Sequence, residues 1–175
     1  MSAVSATRSP VLLRPMVSDD VDAVLALDAR VHPTPWSPEF MRSQLGLPGS
    51  RTNLVAEVHG VLVGHAALLV VADEGHVTSL AVDPDRWRRR IGGTLLAALC
   101  HDAVGRGLVA MTLEVRVSNA AAIAMYRRFG FAPSGVRPDY YADDGEDALI
   151  MWAHDVDEPA FLTRVDAATG GANHG

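Results

Sequence analysis

Cysteine is almost absent from this chain, since Cys100 stands alone among 175 residues. That excludes a disulfide framework and a cysteine-based zinc site, and a reducing, cytoplasmic setting is expected. The seven histidines have no HxxxH or similar ligand spacing, so no metal is expected either. No stretch approaches the ~20 apolar residues of a membrane helix, and no membrane partner is expected. Residues 1–9 lack the apolar core of an export signal. Positive charge is also short: the formal net charge is −6, whereas a general nucleic-acid binder needs a broad basic face. The two familiar phosphate motifs, GxxxxGK[ST] and GxGxxG, are missing.

What is present suits one folded unit. Apolar residues make up 49% and charged residues 21%, the balance of an ordinary globular protein with a real core. We expect a single domain over residues 10–155, with loose tails at 1–9 and 156–175, the latter ending in the small, polar "ATGGANHG". Strands are expected at 11–16, 53–58, 61–71, 76–82, 109–115, 135–141 and 148–154. Ser18 is the expected cap of a helix through Val31, with acids in its first turn. A short helix follows the proline-rich "HPTPWSP", and longer ones are expected at 93–104 and 119–129. The order βαα-βββ-αβ-αββ is that of a mixed α/β (α+β) domain.

Two segments carry chemistry. In "SLAVDPDRWRRRIGGTLLAAL" (79–99) a strand runs into four arginines within five positions, two glycines and a helix. Backbone N–H groups at a helix start bind anions, and glycine lets a ligand come close. The segment suits a pyrophosphate, although a surface arginine cluster before an ordinary helix has the same composition. In "LEVRVSNAAAIAMYRRFGF" (113–131) Glu114 interrupts an apolar strand and Tyr126 lies on the next helix. A glutamate can take a proton and a tyrosine can give one, so the two side chains form a candidate base and acid pair. The plain alternative is a solvent-facing glutamate on an edge strand and a core tyrosine between Ile123 and Phe129.

Both segments resemble the GNAT acyltransferases. The first is similar to their acetyl-CoA motif, Q/R-x-x-G-x-G/A, read here as Trp87-Arg88-Arg89-Arg90-Ile91-Gly92. Gly92 matches, Arg90 stands where the family has its first glycine, and Trp87 stands where it has Gln or Arg. The second resembles the RimI-type branch, the protein N-terminal acetyltransferases, with its pattern LEVR-x-S/D-N-x-x-A-x-x-L/M-Y-x-x-x-GF. The stretches "PTPWS" (33–37) and "RPDYYADDGEDALIM" (137–151) agree with that branch too. The resemblance implies a GNAT fold, a mixed sheet of about six to seven strands flanked by about four helices. It implies acetyl-CoA as co-substrate, Glu114 as general base and Tyr126 as general acid. It places Leu80, Ala81, Val82, Arg88, Arg89, Arg90, Ile91, Gly92, Gly93 and Asn119 on the cofactor, and Trp36, Tyr140 and Tyr141 on the substrate.

The implied substrate is a protein N-terminus, typically the N-terminal alanine of a small-subunit ribosomal protein. The chemistry agrees: an α-amine titrates near ~8 and lysine near ~10.4, so lysine costs about 3 kcal/mol more to deprotonate at neutral pH. Asp139, Asp143, Asp144, Glu146 and Asp147 either attract a basic peptide or form a solvated turn. Acetylation of a small-molecule amine and non-catalytic acyl-CoA binding are the competing readings.

Overall fold

The computed structural model describes residues 9–32, 36–47, 49–87 and 90–170. Strand β1 (Leu12–Pro15) leads through a 3-10 turn (Ser18–Asp20) into helices α1 (Val21–Val31) and α2 (Pro38–Leu45). Strands β2 (Arg51–Val58), β3 (Val61–Val71) and β4 (Glu74–Val82) form a meander. Then come α3 (Ile91–Gly105), β5 (Ala110–Arg116), α4 (Ala120–Arg128), β6 (Ala132–Arg137), β7 (Ala148–Ala153) and α5 (Pro159–Ala168). The order agrees with the sequence pattern, with one helix more than expected at the end.

The seven strands among the described residues join one sheet in the order β1-β2-β3-β4-β5-β7-β6. Neighbours are antiparallel except β4 and β5, which are parallel and joined by the crossover through α3. The "HG" dipeptide makes the tight β2–β3 turn, with His59 and Gly60 both at positive φ (50° and 75°), as a turn matching strand twist requires. The β3–β4 register passes from Ala67↔Ser79 to Leu68↔Val77, so Thr78 is an extra residue in β4, a bulge that bends the strand.

Alternation along β5 sends Met111, Leu113 and Val115 into the main core, where Leu95, Leu99 and Cys100 of α3 meet Tyr126 and Phe129. A second cluster of Met16, Val21, Val24, Met41 and Val55 seats α1 and α2. The buried Asp28 of α1 is 2.6 Å from the Nε2 of buried His65 on β3, which ties α1 to the sheet.

Three expectations are corrected. Residues 156–170 of the expected tail are not loose: α5 buries Phe161 and Val165 in the main core, and His101 and Asp166 bridge α3 to α5 at 3.0 Å, while 171–175 lie outside the described residues. Ser18 does not cap a helix by its side chain; the Asp20 carboxylate accepts the Val17 N–H (2.8 Å) and a bidentate pair from Arg14 at 2.7 Å. Tyr140 and Tyr141 lie beyond the end of β6 in the β6–β7 loop, because the chain turns at Asp139 (φ 52°).

Replacing Phe161 with Ala is expected to cost about 3–5 kcal/mol in urea denaturation, the range for emptying a buried phenylalanine site, whereas a loose tail would leave stability unchanged. The Arg14 guanidinium, ahead of the Val17 N–H, holds the Asp20 carboxyl below its ordinary value of 3.8. The stabilisation from Asp20 is therefore complete above that value and lost as pH falls below it. Asp20→Asn is expected to cost about 1–2 kcal/mol at neutral pH and progressively less in acid, as read from urea midpoints.

Candidate active site

The ladder between β4 and β5 holds three pairs, Glu74↔Ala110, Gly75↔Met111 and His76↔Thr112. Beyond His76 the strands run on but part company, so residues 77–82 of β4 and 113–116 of β5 have no cross-strand partner in each other. The bulge at Thr78 bends β4 where this separation begins. A cleft of about 1680 Å³ opens there.

The candidate phosphate region forms one end. Arg90, Ile91, Gly92 and Gly93 all line the cleft at the start of α3, where no side chain caps the helix and no acid occupies its first turn. Its first N–H groups are thus left without a side-chain partner on the cleft wall, a suitable cradle for an anion. A Cβ on Gly92 would meet only Val82 and Met125, at 3.7 and 3.8 Å. The fold itself would tolerate a side chain there, so the missing Cβ serves the open space. Arg88 and Arg89 lie outside the described residues. The two departures from the motif have definite consequences. Arg90 adopts the left-handed conformation (φ 62°, ψ 16°) that glycine reaches without strain. Its guanidinium rests at the end of α5, where a Cβ on Gly170 would sit 2.6 Å from Nη1 and where the helix dipole favours a cation. Trp87 donates its indole N–H to the Val82 carbonyl at 2.9 Å and so pins the loop to β4.

Leu80, Ala81 and Val82 line the wall made by the unpaired part of β4. Their backbone edge facing the split suits an amide-bearing arm, except that the Val82 carbonyl already accepts from Trp87. Asn119 also lines the cleft; its Oδ1 caps α4 by accepting the Ala122 N–H (3.1 Å), which leaves its amide N–H groups for a ligand.

Glu114 and Tyr126 line the same cleft and approach it from different faces of the sheet. Tyr126 belongs to the core cluster with Leu113 and Val115, whereas alternation turns Glu114 the other way. The split lets both reach one space. β5 is an interior strand, so Glu114 is not the solvent-facing residue of an edge strand. Its Oε2 is 2.6 Å from His76 Nε2 and its Oε1 is 3.4 Å from Arg137 Nε. Tyr126 is only 7% exposed. Among the described residues its hydroxyl has no hydrogen-bond partner, and no fully buried polar side-chain atom is left unpaired, so the hydroxyl opens to the cleft. Burial, helped by the nearby Tyr141, pushes this phenol far above its ordinary value of 10.0 and keeps it protonated at neutral pH.

The mouth carries Trp36, Tyr140 and Tyr141. Trp36 is half-exposed and stacks edge-on to Phe40 at 4.8 Å, so it both lines the cleft and anchors α2. Pro33, Thr34 and Pro35 of the same loop lie outside the described residues. Arg116 organises the tyrosines: its guanidinium lies 4.0 Å over the Tyr141 ring and binds Asp143 (2.9 Å), Asp144 (3.0 Å) and Glu146 (3.3 Å). Asp143, Asp144 and Glu146 of the acidic run thus form a clasp on Arg116, while Asp147 accepts the Asp139 N–H at 2.9 Å. Burial leads the forces that push Tyr141 up to about 12.

Comparison with known proteins identifies the family and the fold. The profile of the acetyltransferase (GNAT) family matches residues 21–131. The chain belongs to that family. This GNAT acetyltransferase is similar to the [ribosomal protein bS18]-alanine N-acetyltransferase of Escherichia coli K12, with 38% identity over 134 residues, 75% of this chain and 89% of the relative. It is 34% identical over 154 residues to the N-alpha-acetyltransferase RimI of Mycobacterium tuberculosis, covering 85% of this chain and 95% of the relative. The crystal structure of the ribosomal-protein-S18-alanine N-acetyltransferase from Escherichia coli superposes with a TM-score of 0.75 at 35% identity, over 82% of this chain and 93% of that one. The RimI-type resemblance and the GNAT fold both hold.

Sequence reasoning missed His76, Arg137 and Arg116. His76 lies 38 residues before Glu114, and no local spacing reports a contact made across a parallel strand pair. Arg116 was visible within the motif, but its partners were not. No cluster of three or more metal-ligating side chains occurs among the described residues. Nor is any helix among them long and apolar enough to cross a membrane.

Arg90→Gly is expected to raise unfolding free energy by about 0.5–1 kcal/mol, since removing the Cβ that strains the left-handed conformation recovers about 1–2 kcal/mol and glycine's freedom in the unfolded chain returns part of it. Urea denaturation checks this, and a loss of stability would mean that the contact with the α5 end outweighs the backbone strain.

Proposed function

We propose that this enzyme acetylates protein N-termini in the cytoplasm, with the N-terminal alanine of a small-subunit ribosomal protein as substrate and acetyl-CoA as donor. The observation that carries the reading is that a carboxylate and a protonated phenol line one cleft exactly where a parallel strand pair opens. The substrates named for the similar enzymes support the choice of an alanine terminus. The GNAT family uses acetyl-CoA, which when bound presents a thioester carbonyl to the amine. The uncapped α3 start and Gly92–Gly93 would hold its phosphates, and the free edge of β4 its amide-bearing arm.

Glu114 takes a proton from the ammonium, which frees the nitrogen lone pair for direct attack without an acyl-enzyme. Tyr126 gives its proton to the sulfur as the tetrahedral intermediate collapses, and recovers one from the nitrogen. Trp36, Tyr140 and Tyr141 flank the peptide at the mouth, offering ring faces and hydroxyl groups to its first residues. The α-amine is favoured over a lysine because the base has about two fewer pKa units to overcome.

Acetyl transfer to a peptide with a free N-terminal alanine, read by mass spectrometry, is expected to mark the α-amine and leave an internal lysine untouched; preference for free small amines would overturn the reading. Glu114→Gln is expected to lower kcat by about 100-fold or more, with the loss growing as pH falls and acetyl-CoA affinity retained. Tyr126→Phe is expected to slow turnover in a folded protein, and unchanged turnover would remove it as the acid.

A further inference from the structure

A second cavity of about 320 Å³ lies beside the cleft, lined by residues of β3, β4, β5, β6 and β7. Among the described residues, Glu114 and His76 alone line both spaces. The two are joined by the 2.6 Å contact between Glu114 Oε2 and His76 Nε2. His76 is the more open of the pair, with 31% of its side chain exposed against 11% for Glu114. The other titratable or charged groups at this point are Glu74 on the same strand, Arg137 of β6 beside Glu114 Oε1, and the neutral phenols of Tyr140 and Tyr141 in the β6–β7 loop, both within electrostatic range of Glu114.

Acetylation of an ammonium by a thioester yields an amide, a thiol and one free proton. The sulfur takes one of the two hydrogens that the nitrogen loses, by way of Tyr126, and the other goes to Glu114. A carboxyl enclosed between donor and peptide must shed that proton before it can act again, and the reactants occupy the cleft side. Resting on the reading of Glu114 as the base, we propose that His76 is a positioning and relay residue that takes this proton from Glu114 and releases it into the second cavity. While Glu114 is ionised, the hydrogen of the neutral ring sits on Nε2 and donates to Oε2. Once Glu114 is protonated, exchange with water moves the ring hydrogen to Nδ1 and Nε2 accepts the carboxyl proton. The imidazolium so formed loses its Nδ1 hydrogen to water, which leaves Nε2–H donating to the carboxylate as at the start. Imidazole is the side chain suited to pick up and drop a proton near neutral pH.

His76→Gln tests this, because its amide can still donate to Glu114 and hold it in place but cannot carry a proton. The expected result is a kcat lowered about tenfold near neutral pH, with the KM for acetyl-CoA unchanged and the deficit shrinking toward alkaline pH, where hydroxide takes over. Added imidazole is expected to restore turnover to His76→Ala. A His76→Gln enzyme with wild-type kcat across the neutral range, together with no imidazole effect on His76→Ala, would overturn the proposal. Calorimetric binding of acetyl-CoA reports whether each variant is folded; if glutamine is not tolerated, imidazole rescue decides alone. Glu114→Gln run in parallel separates the two ideas: full activity there removes the base itself, while a slow Glu114→Gln beside an unaffected His76→Gln removes only the relay.

Discussion

The parting of β4 from β5 after three residue pairs is the constraint on which the rest of this molecule depends. A parallel pair normally continues its ladder, since each unpaired backbone group in a sheet interior forfeits a hydrogen bond. Here the loss is localised, beginning at the Thr78 bulge and ending at the turn before α3. It turns a closed sheet into one with a passage through it. Side chains from opposite faces of the sheet, Glu114 of β5 and Tyr126 of α4, thereby reach a common space.

The surrounding elements hold that passage open. On one face α3 and α5 anchor β4 and β5 through the main core, with Leu95, Leu99, Met111 and Phe161 fully buried. On the other, the Asp28–His65 contact fixes α1 against β3 next to the separation. The mouth is set electrostatically: Arg116 draws three carboxylates and the Tyr141 ring together, which positions a loop otherwise free to move. Arg90 shows the same economy at the opposite end, where a strained backbone is combined with a guanidinium seated at the α5 terminus.

Much of this was legible in order of residues. Strand and helix periodicity predicts the seven strands and four of the five helices, and the dense run from Leu113 to Phe131 identifies the family. The missed helix had a signal: Phe161, Val165 and Ala168 recur at helical spacing. Its polar, glycine-rich end masked it. The strand expected to reach Tyr141 stops at Arg137, because Asp139 turns the chain.

The residue order by itself determined which segments are strands and helices, and that a glutamate, an asparagine and a tyrosine follow a family pattern, because periodicity and motif spacing are local properties. Only the tertiary structure decided that Glu114 meets His76 and Arg137, that Arg116 clasps the acidic loop, and that the base and acid candidates enter one cleft from two sides. Those facts depend on strand register and on where a ladder breaks. Both arise from contacts between residues distant along the chain, and no local window of sequence contains them.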